Sequence, residues 1–133
     1  MISPVVIVPR PRPRELVLDL WFMIIAVAFF CGATPPSSIE TQIPHAWRWA
    51  WYLLLFIGGA ATLYSHTRQR WDDRLIWERH GCVATAAGSL IFAVCAWGFA
   101  GSSATFAAGL MTAWTLASIW RIIQIHKDLY PRP

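Results

Sequence analysis

The stretch of sequence that decides the fold is residues 81–100, GCVATAAGSLIFAVCAWGFA, which contain no charged side chain. A helix needs about 20 mostly apolar residues to cross the hydrocarbon core of a bilayer, so these residues have the length of one span. Three other stretches share this character, and none alternates in hydrophobicity as a barrel strand does. The sequence therefore predicts four transmembrane helices, with spans of about 16–33, 47–64, 78–100 and 104–122.

The composition of the whole chain agrees with a membrane protein. Of the 133 residues, 56% are hydrophobic and 14% are charged, whereas soluble domains carry about 25% charged residues. A chain so poor in charge cannot cover an apolar core with polar surface, which excludes a soluble globule and a disordered chain. We expect a Pro- and Arg-rich cytoplasmic tail at residues 1–14, a transmembrane domain at 15–130 and a C-terminal tail at 131–133.

The connections between the spans predict how the helices pair. Residues 101–103 form so short a connection that the third and fourth helices must be antiparallel neighbours. Prolines bracket the first connection and should end both helices beside it. Asp72 or Asp73 is expected to cap the third helix ahead of its span, and the fourth helix meets no breaker until Pro131. The expected fold class is an all-α integral membrane protein made of two antiparallel hairpins.

The basic residues predict the orientation in the membrane. Ten of the 11 Lys and Arg residues lie in the N-terminal segment, the middle connection and the C-terminal segment, and Arg48 is the exception. The positive-inside rule then places both termini in the cytoplasm of a bacterial cell, with the protein in the inner membrane. A cleaved signal peptide is the alternative interpretation of the first span, and Asp19 within that span argues against cleavage.

Tryptophan side chains give a second indication of the same topology, because indole rings prefer the headgroup level of a bilayer. Four of the nine Trp residues fall at the expected cytoplasmic interface, four at or near the outer one, and only Trp114 lies deep. The predicted interface anchors are Trp21, Trp77 and Trp120 on the inner side and Trp47, Trp51 and Trp97 on the outer side.

Four charged residues near the span ends are candidate interfacial charges: Asp19, Arg48, Arg79 and Arg121. Asp19 is an acid inside the first predicted span, and intramembrane acids are candidate functional residues. Its shallow position favours a carboxylate paired with Arg14, Arg79 or Arg121, and a proton or ion site is the alternative. Arg48 lies among aromatic residues and is interpreted as a headgroup anchor, with Glu40 or a Trp ring as a possible partner.

Small residues recur at four-residue spacing in the last two spans. They are Ala84 and Gly88 in the third helix, and Gly109, Ala113 and Ala117 in the fourth. Ridges of this kind let helix backbones approach closely in lipid, where apolar burial alone does not drive association. The short connection favours packing of the two helices within the chain, and packing between copies is the alternative.

The last three helices carry motifs that resemble a known group of proteins. A Trp-rich helix ends at Gly58-Gly59, and the segment WERHG at residues 77–81 precedes an Ala- and Gly-rich hairpin that closes with WRIIQIHKDL at residues 120–129. Over residues 45–129 this resembles the small four-span membrane proteins encoded by phages and prophages of actinobacteria. The resemblance implies an origin and assigns no catalytic residues.

No residue pattern predicts an enzyme. We find no phosphate-binding loop, nucleophile elbow or paired ligand spacing, so no catalytic residue, cofactor, metal or small-molecule substrate is expected. The expected partners are the lipid bilayer and copies of this chain or other membrane subunits, and no nucleic acid is expected. The leading hypothesis is a phage-type protein that acts by assembly in the membrane, holin-like or linked to the virion or to host takeover. The alternative is an accessory or adaptor subunit of a larger membrane complex.

Overall fold

The computed structural model describes residues 13–100 and 104–130, which contain five helices and no strand. The helices are α1 (Pro13–Phe30), α2 (Ser37–Gln42), α3 (His45–Ser65), α4 (Trp71–Ala100) and α5 (Thr105–Leu129). Most of the predicted N-terminal tail, the connection at residues 101–103 and the C-terminal tail lie outside the described residues. The prediction of an all-helical fold is confirmed for the part of the chain that the structure covers.

α5 ends where the sequence predicts, but α4 begins at Trp71, one residue before the predicted caps. α4 carries Asp72 and Asp73 in its first turn, where carboxylates interact favourably with the positive end of the helix dipole. α5 continues without a break to Leu129. The sequence does not predict the short helix α2, because the prolines of this region indicate only where the neighbouring helices end. Pro36 and Pro44 instead stand at the N-caps of α2 and α3, directly before first turns whose N–H groups have no partner within the helix.

The four long helices are antiparallel neighbours in the order α1, α3, α4, α5. Trp51 near the start of α3 contacts Gly88 in the middle of α4, while Thr62 near the end of α3 contacts Gly81, which lies earlier in α4. α4 and α5 run past each other in the same way, and α2 packs on α4. The backbones of α1 and α5 do not contact each other within the described residues, although Phe22 and Trp114 meet with ring centroids 5.8 Å apart.

Three glycines bring α3 against its two neighbours. A Cβ atom added to Gly58 would lie 2.5 Å from Thr85 Cγ2 and 2.9 Å from the Thr85 backbone nitrogen. A Cβ on Gly59 would lie 2.5 Å from the Asp19 carbonyl oxygen, and one on Gly81 would collide with Thr62. These distances leave no room for any side chain, so backbone contact is what sets the spacing of the helices.

An aromatic cluster fills the other end of the bundle. Trp51 is 4% exposed, and its Nε1 donates a hydrogen bond of 2.9 Å to the Gly88 carbonyl oxygen. Its ring packs beside Tyr52 and stacks on Phe92. The prediction that Trp51 anchors the protein at an interface is therefore wrong, because the indole N–H has its partner inside the bundle.

Beside its apolar core, the bundle buries several hydroxyl side chains and exposes many large apolar ones. The buried residues include Thr62, Ser65, Thr85, Ser89 and Thr115, whereas large apolar side chains are exposed on each long helix, with Phe106 at 85% exposure. Soluble domains do not expose apolar surface on this scale. Two helices, Trp71–Phe99 and Thr105–Leu129, are long and apolar enough to cross a membrane.

We predict that Gly81→Ala lowers the stability of the protein in detergent by about 1–3 kcal/mol, the usual cost of overpacking. The matched control is Gly98→Ala on the same helix, because a Cβ there meets nothing within 4 Å. The control should leave stability unchanged or raise it by up to about 1 kcal/mol through helix propensity. Thermal unfolding followed by tryptophan fluorescence measures both. Equal stability of the two variants would contradict the backbone contact at Gly81.

Candidate functional site

A group of charged and polar side chains collects at one end of the bundle. α1 and α4 begin at this end and α3 and α5 finish there, so residues far apart in sequence meet. Asp19 comes from α1, Thr62 from α3, Glu78 from α4 and Arg121 from α5, and all four line one cavity. We call this group the inner polar cluster.

The strongest interaction in the inner polar cluster is an ion pair. Arg121 Nε donates a hydrogen bond of 2.6 Å to Glu78 Oε1. Glu78 is 5% exposed, and charge-assisted hydrogen bonds of this kind are stronger than neutral ones. The pair joins α4 to α5 where the two helices run on beyond their apolar stretches.

Asp19 lies in the same cluster and is 4% exposed. The sequence analysis expected it to pair with Arg14, Arg79 or Arg121. In the structure Arg121 forms its ion pair with Glu78 instead. Arg79 lines a different groove with Ile122 and His126. The side chain of Arg14 lies outside the described residues. Asp19 is therefore a buried group in a polar cavity.

The cavity of the inner polar cluster has a volume of about 80 Å³. Hydroxyl groups of Thr62, Thr85 and Ser118 contribute to its walls, and Trp114 closes one side. Two buried polar atoms of the lining residues have no hydrogen-bond partner among the described residues, Glu78 Oε2 and Trp114 Nε1. Buried groups of this type are normally satisfied by protein, water or ligand atoms, and none of the described residues satisfies these two.

Hydroxyl groups connect the helices beyond the cavity. Ser89 Oγ and Thr115 Oγ1 share a hydrogen bond of 2.8 Å between α4 and α5. Hydroxyls across helix pairs are a common means of association in lipid. On the other side of the Phe22–Trp114 ring pair lies a second cavity of about 130 Å³, lined mainly by apolar side chains that include Phe29 and Met111.

His66 stands just after α3, beside the inner polar cluster and outside the predicted spans. Burial lowers the pKa of His66 below its ordinary value, and the neighbouring Arg74 guanidinium lowers it further. Arg74 Nη2 lies 3.3 Å from His66 Nδ1. Because the neutral imidazole has a free acceptor nitrogen, it can accept this hydrogen bond from Arg74.

The structure divides the predicted small-residue ridges into two groups. Ala84 and Gly88 of α4 are buried, and a Cβ on Gly88 would lie 2.9 Å from Leu55 Cδ2. Gly109, Ala113 and Ala117 of α5 are exposed instead. The expectation that these three pack within the hairpin is wrong, because α5 turns Ala108, Thr115, Ser118 and Ile125 inward.

The remaining predicted anchors lie on the surface. Their side chains are between 41% and 69% exposed: Trp21, Trp47, Trp77, Trp97 and Trp120. Arg48 was interpreted as a headgroup anchor, but its Nη2 donates to the Glu40 carbonyl oxygen at 2.6 Å and its Nε to the Ile43 carbonyl oxygen at 3.0 Å. The guanidinium thus binds the end of α2 and not the Glu40 carboxylate or a Trp ring.

Glu78 is not among the predicted site residues, because it stands at the start of the third predicted span and is followed by the polar residues Arg79 and His80. A signal was present, since Glu78, Cys82, Thr85 and Ser89 recur at spacings of four, three and four residues. Side chains at these spacings share one face of a helix. The packing role of Gly58 and Gly81 was also not predicted, although both are among the residues that carry the resemblance.

We predict that Arg121→Ala destabilises the protein in detergent by about 1.5–3 kcal/mol, the range for a hydrogen bond to a charged group. The loss arises because Glu78 would stay buried without its partner. Lys127→Ala is the control, because Lys127 is an exposed cation on the same helix. Adding Glu78→Gln to the Arg121→Ala variant should recover part of the loss, since it removes the unpaired charge. If Arg121→Ala and Lys127→Ala melt together, the ion pair does not stabilise the fold.

Comparison with known proteins finds no matching family model, no matching curated protein and no matching solved structure.

Proposed function

We propose that this chain is a non-enzymatic bacterial inner-membrane protein of four spans that acts by assembling with copies of itself. The observation that carries the proposal is the exposed small-residue stripe of α5, formed by Gly109, Ala113 and Ala117.

Four spans are supported by the surfaces of α1 and α3. Both expose large apolar side chains, among them Val17 and Leu20 on α1 and Leu53 and Ile57 on α3. With 18 and 21 residues, they are roughly 27 and 31 Å long at about 1.5 Å per residue, close to the thickness of the hydrocarbon core. Charges near the start of α1 and polar aromatics in α3 lower their hydropathy without making these surfaces polar.

The orientation with both termini in the cytoplasm is supported by the distribution of charge. The α3–α4 connection and the last turns of α5 are rich in Arg and Lys, and both lie at the end of the bundle that holds the inner polar cluster. Basic residues beside spans stay on the cytoplasmic side. Exposed Trp residues at both ends of the bundle suit two headgroup regions.

Self-association is supported by the surroundings of the stripe. A Cβ placed on Gly109 meets nothing within 4 Å, and Leu110 and Leu116 beside it are exposed. Small residues flanked by leucines let a second helix approach closely in lipid. Gly109 and Ala113 are exposed, while Ala117 at the end of the stripe also lines the cavity of the inner polar cluster. We propose that a second copy of this chain covers the face at Gly109 and Ala113.

A phage-type role, holin-like or linked to the virion or host takeover, is supported by the small size of the protein and by the resemblance over residues 45–129. The adaptor alternative has its own observation. α4 and α5 form an open groove lined by Arg79, Ile122, Ile123, His126, Lys127 and Tyr130. A cytoplasmic segment of a partner subunit could dock in such a groove.

Reporter fusions test the topology. With four spans and both termini inside, a fusion at the C-terminus should report from the cytoplasm. A fusion at Ser38 or at Ser102 should report from the periplasm, because both positions fall in outer connections of the proposed topology. Alkaline phosphatase and green fluorescent protein give opposite signals at each site and control for expression. A periplasmic signal from the C-terminal fusion would overturn the proposed orientation.

Leucine substitutions test the assembly. Gly109→Leu with Ala113→Leu should weaken self-association by about 5- to 30-fold, because close helix contacts in membranes contribute about 1–2 kcal/mol. Monomer stability should stay unchanged, since these side chains have no partner within the bundle. Gly98→Leu, exposed on α4, is the matched control. Energy transfer between labelled copies in vesicles measures association, and equal transfer in all variants would remove the stripe from the interface.

Inducible expression with a potential-sensitive dye separates the two biological roles. A protein that acts by its own assembly should collapse the membrane potential at a threshold level, and the stripe variant should not. A normal potential at high expression would contradict the holin-like role and favour the adaptor.

A further inference from the structure

The cavity of the inner polar cluster has walls that are rich in hydrogen-bond acceptors. Thr62 and Thr85 donate their hydroxyl hydrogens to the carbonyl oxygens of Gly58 and Gly81, at 3.0 Å each. Each hydroxyl oxygen keeps lone pairs that can accept. Glu78 Oε2 is an unpartnered acceptor on a side chain that is more than nine-tenths buried. An occupant of this cavity must therefore carry hydrogen-bond donors.

The charge of the cavity favours a cationic occupant. The buried carboxylates that line it are Asp19 and Glu78, and one guanidinium, Arg121, lines it with them. Arg121 is bonded to Glu78 Oε1, so its positive charge is shared with Glu78, and Glu78 Oε2 has no partner among the described residues. Buried charges are normally paired, so a positive group is the natural complement.

The cation that suits these walls is an ammonium group. Within residues 13–100 and 104–130, no three His, Cys, Asp or Glu side chains are placed to hold a metal ion. A primary ammonium has three N–H donors for acceptor oxygens, and Trp114 offers a ring against which cations and methylene groups pack. A quaternary ammonium has no N–H group and would leave Glu78 Oε2 unpaired.

The wall also contains one unpartnered donor, Trp114 Nε1. The occupant thus needs an acceptor as well as an ammonium, and ethanolamine combines the two across two carbon atoms. The cavity of about 80 Å³ is several times larger than the roughly 10–15 Å³ that one water molecule needs. That space suits a group of this size.

We propose that the inner polar cluster binds an ethanolamine group, with its ammonium on Asp19 and Glu78 Oε2 and its oxygen accepting from Trp114 Nε1. In the proposed four-span topology, on which this placement rests, the cluster lies at the level of the cytoplasmic headgroups. The backbones of α1 and α5 do not contact each other beside it, so a headgroup can enter from the side. The ethanolamine is then either a free molecule or the headgroup of phosphatidylethanolamine.

Thermal unfolding in detergent tests the chemistry. Ethanolamine should raise the melting temperature in a saturable way, whereas choline and ethylene glycol at equal concentration should not, because one lacks N–H donors and the other lacks charge. Stabilisation by all three compounds or by none overturns the proposal. The assay requires neither four spans nor self-association, so its failure is distinct from failure of the proposed function.

Variants and lipids complete the test. Glu78→Gln and Trp114→Phe should each weaken ethanolamine binding at least tenfold. Trp114→Phe keeps an aromatic ring in place, so it still tests the site if Glu78→Gln does not fold. The control is Asp128→Asn, because Asp128 is exposed on α5 away from the cavity. If Asp128→Asn weakens ethanolamine binding as much as the other two variants do, the proposed site is contradicted. In nanodiscs, greater stability in phosphatidylethanolamine than in phosphatidylcholine supports the headgroup as the source. No lipid preference, with free ethanolamine still stabilising, supports the soluble amine.

Discussion

The bundle depends on the backbone contact that α3 makes with α4 and α1. Gly58 and Gly81 face Thr85 and Thr62 across one interface, and Gly59 faces the carbonyl oxygen of Asp19 across the other. No side chain separates these backbones. The helix ends beside the inner polar cluster therefore come close enough for Asp19, Thr62 and Glu78 to line one cavity. A larger residue at any of the three glycines would separate helices that the inner polar cluster needs together.

This close contact also explains why the interior can be polar. The hydroxyls of Thr62, Thr85 and Ser89 donate hydrogen bonds to carbonyl oxygens one turn earlier in their own helices. Each hydroxyl is therefore hydrogen-bonded within its own helix when it is buried. Glu78 takes its partner from α5. In a lipid environment the apolar side chains outside need no covering, and polar contacts and small residues hold the helices together. The proposed assembly through α5 uses the same physical means between copies.

Sequence patterns predicted the helices better than the faces they bury. The first-turn acids of α4 and the absence of a breaker in α5 were enough to predict those helix ends approximately. The four-residue spacing of Gly109, Ala113 and Ala117 correctly marked a ridge, but spacing defines a stripe on a helix and not the direction in which that stripe points. α5 has a second stripe, which includes Thr115 and Ser118. This second stripe faces α4, because Thr115 shares a hydrogen bond with Ser89 and Ser118 lines the cavity of the inner polar cluster.

The inner polar cluster was predicted in part for a related reason. Asp19 and Arg121 were recognised as unusual charges near the ends of spans, but pairing distances cannot be read from a single chain. Glu78 looked solvated because Arg79 and His80 follow it. Trp51 looked like its exposed neighbour Trp49, and only the Gly88 carbonyl oxygen across the helix pair distinguishes it. Both errors concern contacts between helices, which local patterns do not encode.

The order of the helices has a consequence for how the chain folds during synthesis. Each long helix packs on the long helix before it in the sequence, α3 on α1, α4 on α3 and α5 on α4. Contacts between sequence neighbours close short loops, and such topologies fold quickly. A growing chain can therefore dock each helix as it emerges, without waiting for a later one. Contacts between α1 and α5 involve side chains alone and can form only after α5 has been synthesised. The cavity between these two helices is therefore completed after the other helices have packed.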